Sequence, residues 1–517
     1  MSRKELTRCT PEQVGVPSAT ILELLDALES FPGCEMHALM IMRHGKVCAE
    51  GWWQPFAPGQ AHICWSQSKT YTATGIGILI TQGKLSLDTR ILDLFPEFAP
   101  EQPSENLQKL CIRHLLTMSC GMREMGPEGY GWLPNFLKMN VDYEPGSVFM
   151  YNSMGTNALG AVIKRVSCMD PEDFFRKELY EKLGMDLEQC FWTKIPDGYI
   201  WSAGGLFATT ENNLRLMQLY LQNGVWNGER ILSEEYVRLA TTAQIDNSIG
   251  YTPEGGIIPQ FESKQGYGYQ IWMNSYPGSY RSDGAQGQYG IVFPRENLIV
   301  VINETLEGDS DELFQTIYKI LLTSLRDDAL PENEAECQKL RERMRRLAIP
   351  APACRPLTET AIRISGTEYS VQEGTFTFLT AFEPREFRNT GIRVSDGIDH
   401  FSFDFKESCC EMSYVENGKP WNINIAMDGT RSKEILAVEK HTPTKVLFSG
   451  TWVSETVFEV KARWIESTVE KTICFMFDDD SVSVEAKLTL GTLGAYKNPD
   501  EIAVARALVG DPQEKES

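Results

Sequence analysis

Ser66-Gln67-Ser68-Lys69 is the one S-x-x-K tetrad in the chain, and on a helix its i, i+3 spacing sets a hydroxyl and an amine on the same face. A lysine kept neutral by burial can take the Oγ proton, and amides at a helix N-terminus favour the oxyanion that forms next. Acylation of Ser66 is therefore the chemistry to look for. The tetrad alone is a weak signal, because roughly two would arise by chance in a chain of this length. An exposed Ser and Lys on a helix surface is the plain alternative.

Other chemistries find little support. No G-x-S-x-G is present, and Gly83-Lys84 lacks the upstream glycine and following Ser or Thr of a phosphate-binding loop. The histidines His37, His44, His62, His114, His400 and His441 form no H-E-x-x-H or other tight ligand spacing. No metal and no organic cofactor are expected. Asp478-Asp479-Asp480 suits a solvated turn better than a cation site, and Gly75-Ile76-Gly77 suits helix packing.

The elements that must position the tetrad can be traced from periodicity. Ala38 to Met42 and Val47 to Trp53 flank His44-Gly45-Lys46, predicting a hairpin of apolar strands. Ala73, Ile76, Gly77 and Ile80 fall at helical spacing, predicting one buried stripe on a helix that begins near Ser66 and stops at Gly83. Tyr289 to Asn303 predicts a buried strand, and Leu313, Ile317, Ile320 and Ser324 one face of a closing helix.

The chain has 517 residues, more than a single core of about 250–300 residues usually holds, so two domains are expected. Pro331, Pro350, Pro352 and Pro356 bracket a charged stretch, Glu332 to Arg346, that predicts an exposed connecting helix. The expected division is a first domain over 1–330, a linker over 331–356 and a second domain over 357–517. In the last of these, Phe458, Val460, Ala462 and Trp464 alternate with Glu459, Lys461 and Arg463, and Val482, Val484, Ala486 and Leu488 repeat the pattern. An antiparallel all-β domain, sandwich or barrel, follows from that period of two.

A formal net charge of -22 repels phosphate backbones, and no basic cluster offsets it, so nucleic acid is not an expected partner. Apolar runs such as Ile76 to Ile80 and Leu298 to Ile302 are far shorter than the roughly 20 residues of a membrane span. The start, Met1 to Arg8, holds no apolar core of signal-peptide length, and thirteen cysteines without a C-x-x-C pair suit reduced thiols. A cytoplasmic protein is expected.

Cys64-Trp65-Ser66-Gln67-Ser68-Lys69-Thr70, with Gly83-Lys84-Leu85-Ser86-Leu87-Asp88, resembles the nucleophile helix of the class C β-lactamase-related serine hydrolases. Ile112 to Gly121 resembles that family's following helical segment, Pro145 to Ser153 its tyrosine motif, Ser202 to Thr209 its glycine-rich active-site segment, and Asp283 to Tyr289 its third-motif strand. Order and spacing agree over roughly residues 10 to 325. The resemblance implies a catalytic trio of Ser66, Lys69 and Tyr151, with Lys69 and Tyr151 sharing the role of base. It also implies an oxyanion hole from the backbone N–H groups of Ser66 and Ala285, with Ser153, Ser282, Asp283 and Gly284 lining the substrate.

Two departures stand out. Many members carry Lys-Thr-Gly or His-x-Gly where this chain has Ser282-Asp283-Gly284, and the tyrosine motif ends in Ser153 rather than Asn. The missing cation weakens the hold on a substrate carboxylate unless Arg281 replaces it.

The expected fold is α+β: a β-lactamase-like antiparallel sheet flanked by helices, a helical insertion around residues 85 to 195, and the C-terminal all-β domain. The expected activity is cleavage of a small-molecule ester or amide through an acyl-Ser66 intermediate, carboxylesterase-like. A D-amino-acid peptidase or amidase, a β-lactamase, and a binding module that keeps the fold without turnover are the alternatives.

Overall fold

The computed structural model describes residues 5–123, 129–249, 260–378, 395–436, 445–490 and 501–508. The chain divides into two units, Met1–Ile349 and Pro350–Ser517.

In the first unit, α1 (Ser18–Glu29) leads into the expected hairpin of β1 (Cys34–Arg43) and β2 (Lys46–Trp52). His44 and Gly45 both have positive φ, which a two-residue turn between right-twisted strands requires. The later strands are β3 (Trp272–Met273), β4 (Tyr280–Gly284), β5 (Gln288–Phe293) and β6 (Leu298–Leu306). Together they form one antiparallel sheet in the order β3-β4-β5-β6-β1-β2. The run from Tyr289 to Asn303 is thus two strands rather than one, because Pro294 and the left-handed Asn297 turn the chain between them.

The tetrad helix α2 (Ser68–Thr81) is preceded by a 3-10 turn, Trp65–Gln67, and followed by Gly83 in the left-handed region. Its burial differs from the expected single stripe: every residue from Ser68 to Leu79 is buried, and Ile80 is only half-buried. Such a helix lies in the middle of the unit. The Gly75-Ile76-Gly77 stretch packs there against Ile163, Phe175 and Tyr236.

α3 (Ser153–Ser167) runs along α2, and α4 (Thr210–Leu221) packs across β1, β5 and β6. Helices dominate the described part of residues 85 to 195, as expected of the insertion. The closing helix α5 (Ser310–Ile317) continues into a π turn, Tyr318–Leu322. That wide turn shifts the buried face by one position, so Leu321 is buried where Ile320 was expected.

The charged stretch before Arg346 is α6 (Glu334–Arg345), and it belongs to the first unit rather than to a free linker. Arg343 bonds Glu29 of α1, and the Cys337 thiol donates to Glu12 at 2.9 Å. Cys337 and Leu340 form a narrow buried seam that the charge density of the sequence hides.

The second unit is all-β apart from a short helix, Glu359–Ile364. Its strands are β7 (Glu368–Gly374), β8 (Ile398–Phe405), β9 (Cys409–Glu416), β10 (Lys419–Ala426), β11 (Ser432–Ile435), β12 (Lys445–Trp452), β13 (Val457–Trp464), β14 (Glu470–Phe477), β15 (Ser481–Leu490) and β16 (Glu501–Ala507). They pair in the order β10-β9-β8-β7-β16-β15-β14-β13-β12-β11, and the parallel pair Ala426↔Ser449 joins β10 to β12 and closes a barrel.

Phe401, Phe403, Phe458, Val460, Trp464, Phe475 and Val484 fill the interior. This is the inward half of the alternation seen in the sequence. Arg463 is the exception on β13, buried in an ion pair with Glu470. Asp478-Asp479-Asp480 is an exposed turn between β14 and β15. Among the described residues no helix is long and apolar enough to cross a membrane.

Candidate active site

Ser66 sits in the 3-10 turn at the mouth of α2, and its neighbour Trp65 has φ 46°, a left-handed conformation rare for a bulky residue. That backbone reversal swings Ser66 out of the line of the preceding strand, His62–Ile63. Lys69 Nζ donates to Ser66 Oγ at 2.9 Å and to the carbonyl oxygen of Ala203 at 2.7 Å. Its amine is fixed from two sides, and the side chain is 2% exposed.

The segment that supplies Ala203 is itself clamped: Asn157 Oδ1 of α3 accepts from Ala203 N at 3.0 Å, and Thr72 Oγ1 donates to Ser202 O at 2.9 Å. Neither partner was singled out from the sequence. The available signal for Asn157 is a polar residue set at helical spacing with the apolar buried positions Met154, Ala158 and Ala161.

Tyr151 precedes α3, and Lys69 Nζ lies 4.9 Å from the centre of its ring. The ring stacks on Trp272 at 5.6 Å and 24°. Trp272, Phe149, Tyr267 and Met118 form a small apolar cluster behind it. Ser153 is the first residue of α3 and half-buried, and Asn152 caps the helix by accepting from Gly155 N at 2.9 Å. Ser68, the other serine of the tetrad, points away. It is fully buried, and its Oγ accepts from Leu206 N at 3.0 Å.

The third-motif segment runs along β4 beside the 3-10 turn. Gly284 packs so closely that an added Cβ would lie 2.1 Å from the carbonyl oxygen of Cys64, which excludes any larger residue. Ala285 opens the turn to β5 and remains half-buried. As the second residue of the 3-10 turn, Ser66 carries a backbone N–H that the turn itself cannot satisfy. Ser282 is buried and accepts from Gln67 Nε2 at 2.9 Å, tying β4 to the residue after Ser66.

Asp283 lies near Lys69. Burial raises its carboxyl above the ordinary value, against the pull of Arg281 and of Lys69. Arg281 Nε donates to Asp283 Oδ2 at 2.7 Å.

The expectation that Arg281 replaces the missing cation meets a plain obstacle. It is 1% exposed, and its guanidinium also donates to Glu262 O at 3.1 Å, Asn274 Oδ1 at 2.7 Å and Ser263 Oγ at 3.1 Å. A group so committed to protein acceptors has no fork left for a substrate carboxylate.

Behind the Ala285 turn is Glu304 of β6, fully buried. Its Oε2 accepts the Cys34 thiol at 3.1 Å, its Oε1 has no hydrogen-bond partner among the described residues, and burial pushes its pKa up to about 8. Gly287, with φ 88°, leaves room for that carboxyl, since a Cβ there would lie 2.2 Å from Glu304 Oε1.

The family model described as β-lactamase matches residues 27–323. A protein of Paenarthrobacter ureafaciens named 6-aminohexanoate-dimer hydrolase is 23% identical over 295 residues, 51% of this chain and 71% of that protein. Penicillin-binding protein 4 of Amycolatopsis lactamdurans is 24% identical over 309 residues, 52% of this chain and 77% of that one. A solved structure from Bacteroides dorei, provisionally named a β-lactamase, superposes with a TM-score of 0.51 at 18% identity, covering 60% of this chain and 99% of that one. At that identity the superposition speaks for the fold.

Proposed function

We propose, for a chain that belongs to the β-lactamase family, that Ser66 attacks the carbonyl carbon of a small ester or amide and holds the acyl group covalently. Ser66 Oγ forms the new bond and gives its proton to the Lys69 and Tyr151 pair, which passes it to the departing alcohol or amine. Water then attacks the acyl carbon, loses a proton to the same pair, and releases the acid as Ser66 regains its own. The backbone N–H groups of Ser66 and Ala285 meet the oxyanion in both steps.

The observation that carries this reading is the 2.9 Å bond from Lys69 Nζ to Ser66 Oγ, with the amine braced by Ala203 and set beside the Tyr151 ring. A binding module would have no chemical need for that arrangement.

Among acyl substrates, uncharged esters fit best. Asp283 places a carboxylate where a β-lactam would bring its own, and esters leave with less help from a proton donor than amides do. The test is intact-mass measurement after a fluorophosphonate probe, with the labelled peptide sequenced. A single adduct on Ser66 is expected, and labelling of another serine, or none, would refute the mechanism.

A further inference from the structure

We propose that Glu304 is a positioning residue of the oxyanion hole: its uncharged carboxyl seats the turn from β4 to β5, which presents the Ala285 N–H to the substrate carbonyl. The proposal rests on Ser66 being the nucleophile.

Contact places Glu304 in this role. Gln286 and Gly287 have φ 61° and 88°, so the turn bends through two left-handed residues. A Cβ on Gly287 would meet Glu304 Cγ and Oε1 at 2.2 Å and Cδ at 2.6 Å, so the turn's backbone lies directly on the carboxyl. The rest of the turn hangs from the same strand. Gln286 O accepts from Leu306 N at 3.0 Å, and Gln288 Nε2 donates to Gln286 O at 3.1 Å and to Glu304 O at 2.7 Å. Asn303 Nδ2 donates to Gln288 Oε1 at 2.9 Å, and its Oδ1 accepts from Thr210 of α4. Among the described residues the Ala285 N–H has no backbone acceptor, which leaves it for an oxyanion.

The surroundings keep the carboxyl neutral. Glu304 is fully buried, and among the described residues its carboxyl has one donor, the half-buried Cys34 thiol. The other titratable groups around it are Glu35 on β1, Asp283 on β4 and Tyr289 on β5, none of them a cation. Arg281 and His37 are turned to Asp283 and Glu35. Burial accordingly raises the pKa to about 8. An ionised Glu304 would set an uncompensated negative charge under the N–H groups that must meet another, the oxyanion. Ionisation therefore opposes the transition state and loosens the turn, with little effect on ground-state binding.

The test compares the wild type with Glu304→Gln, whose amide keeps the size and cannot ionise, in p-nitrophenyl butyrate hydrolysis from pH 6.5 to 9. Far-UV circular dichroism confirms folded protein at each pH. Lys69 and Tyr151 titrate in both proteins, so the ratio of wild-type to variant kcat cancels them. That ratio should fall roughly tenfold between pH 6.5 and 9, with KM constant within about twofold. Cys34→Ala, which removes the donor to the carboxylate, should move the fall to higher pH. A constant ratio, a fall carried by KM, or a midpoint indifferent to Cys34→Ala overturns the proposal.

Absence of a fluorophosphonate adduct at every pH would instead refute the hydrolase reading. Deuterium uptake by the peptide holding Ala285 then decides the role of Glu304. Faster uptake at pH 9 in the wild type than in Glu304→Gln, with equal uptake at pH 6.5, upholds Glu304 as the seat of this turn, and equal uptake at both overturns it.

Discussion

Removing the Ser66 hydroxyl deletes the atom that forms the acyl bond, so Ser66→Ala should lose both probe labelling and turnover. Lys69→Ala and Tyr151→Phe remove a proton-transfer group while keeping the nucleophile, and should each lower kcat by on the order of 10²–10⁴. Ser68→Ala provides the contrast. Its buried Oγ serves Leu206 N, so the variant should label normally and lose about 1–2 kcal/mol in denaturant unfolding.

Substrate charge belongs to this scale too. p-Nitrophenyl butyrate should exceed a chromogenic cephalosporin in kcat/KM, since Arg281 is spent on protein acceptors, and a cephalosporin value at or above the ester value would overturn that. Ser66 and Lys69 could be read as candidates from residue type and spacing, and Tyr151 only from the resemblance of Pro145 to Ser153 to a family motif. The left-handed Trp65 and the Asn157 clamp could not. A backbone reversal at Trp leaves no mark in the sequence, and one buried Asn looks like any other until its partner is known.

Among elements, the turn from β4 to β5 rests on a titratable support, Glu304. A carboxyl whose pKa rises from 4.5 to about 8 on folding stabilises the fold fully below the lower value and loses that contribution as pH climbs through the higher one. The loss would reach about 5 kcal/mol at pH 9, and Glu304→Gln should abolish it. Unfolding curves from pH 5 to 9 should therefore fall for the wild type and stay nearly flat for the variant; parallel curves would place the carboxyl outside this role.

Gly287→Ala should damage the same turn at any pH, because the new Cβ would strike that carboxyl. At this scale the hairpin, α2 and the alternating barrel strands were readable from local period. The all-round burial of α2, the split of β5 from β6 and the one-residue shift after α5 were not. Each depends on what packs around the segment or on a turn inside an apolar run.

For the molecule as a whole, where the chain is cut should decide whether the first unit survives. A fragment ending at Ile349 keeps α6 on α1 and should unfold cooperatively and take the fluorophosphonate label. One ending at Leu330 loses Cys337 from Glu12 and Arg343 from Glu29, together with the buried seam of α6, and should be less stable by a few kcal/mol or insoluble. Equal stability of the two fragments would mean that α6 is dispensable. The two-unit layout was visible in the change from mixed to alternating pattern, whereas the fate of α6 was not, since a helix carrying so much charge hides a contact made by Cys337 and Leu340.

The closure of the second unit has a kinetic side. Among the described residues the backbone ladder between β10 and β12 is the single pair Ala426 and Ser449, whereas β9 with β10 and β12 with β13 pair over several residues. Opening one rung needs little concerted motion, so amide deuteration should begin along β10 and β12 at this junction well before it reaches β14 or β15, and the barrel should breathe there as a curled ribbon rather than a sealed ring.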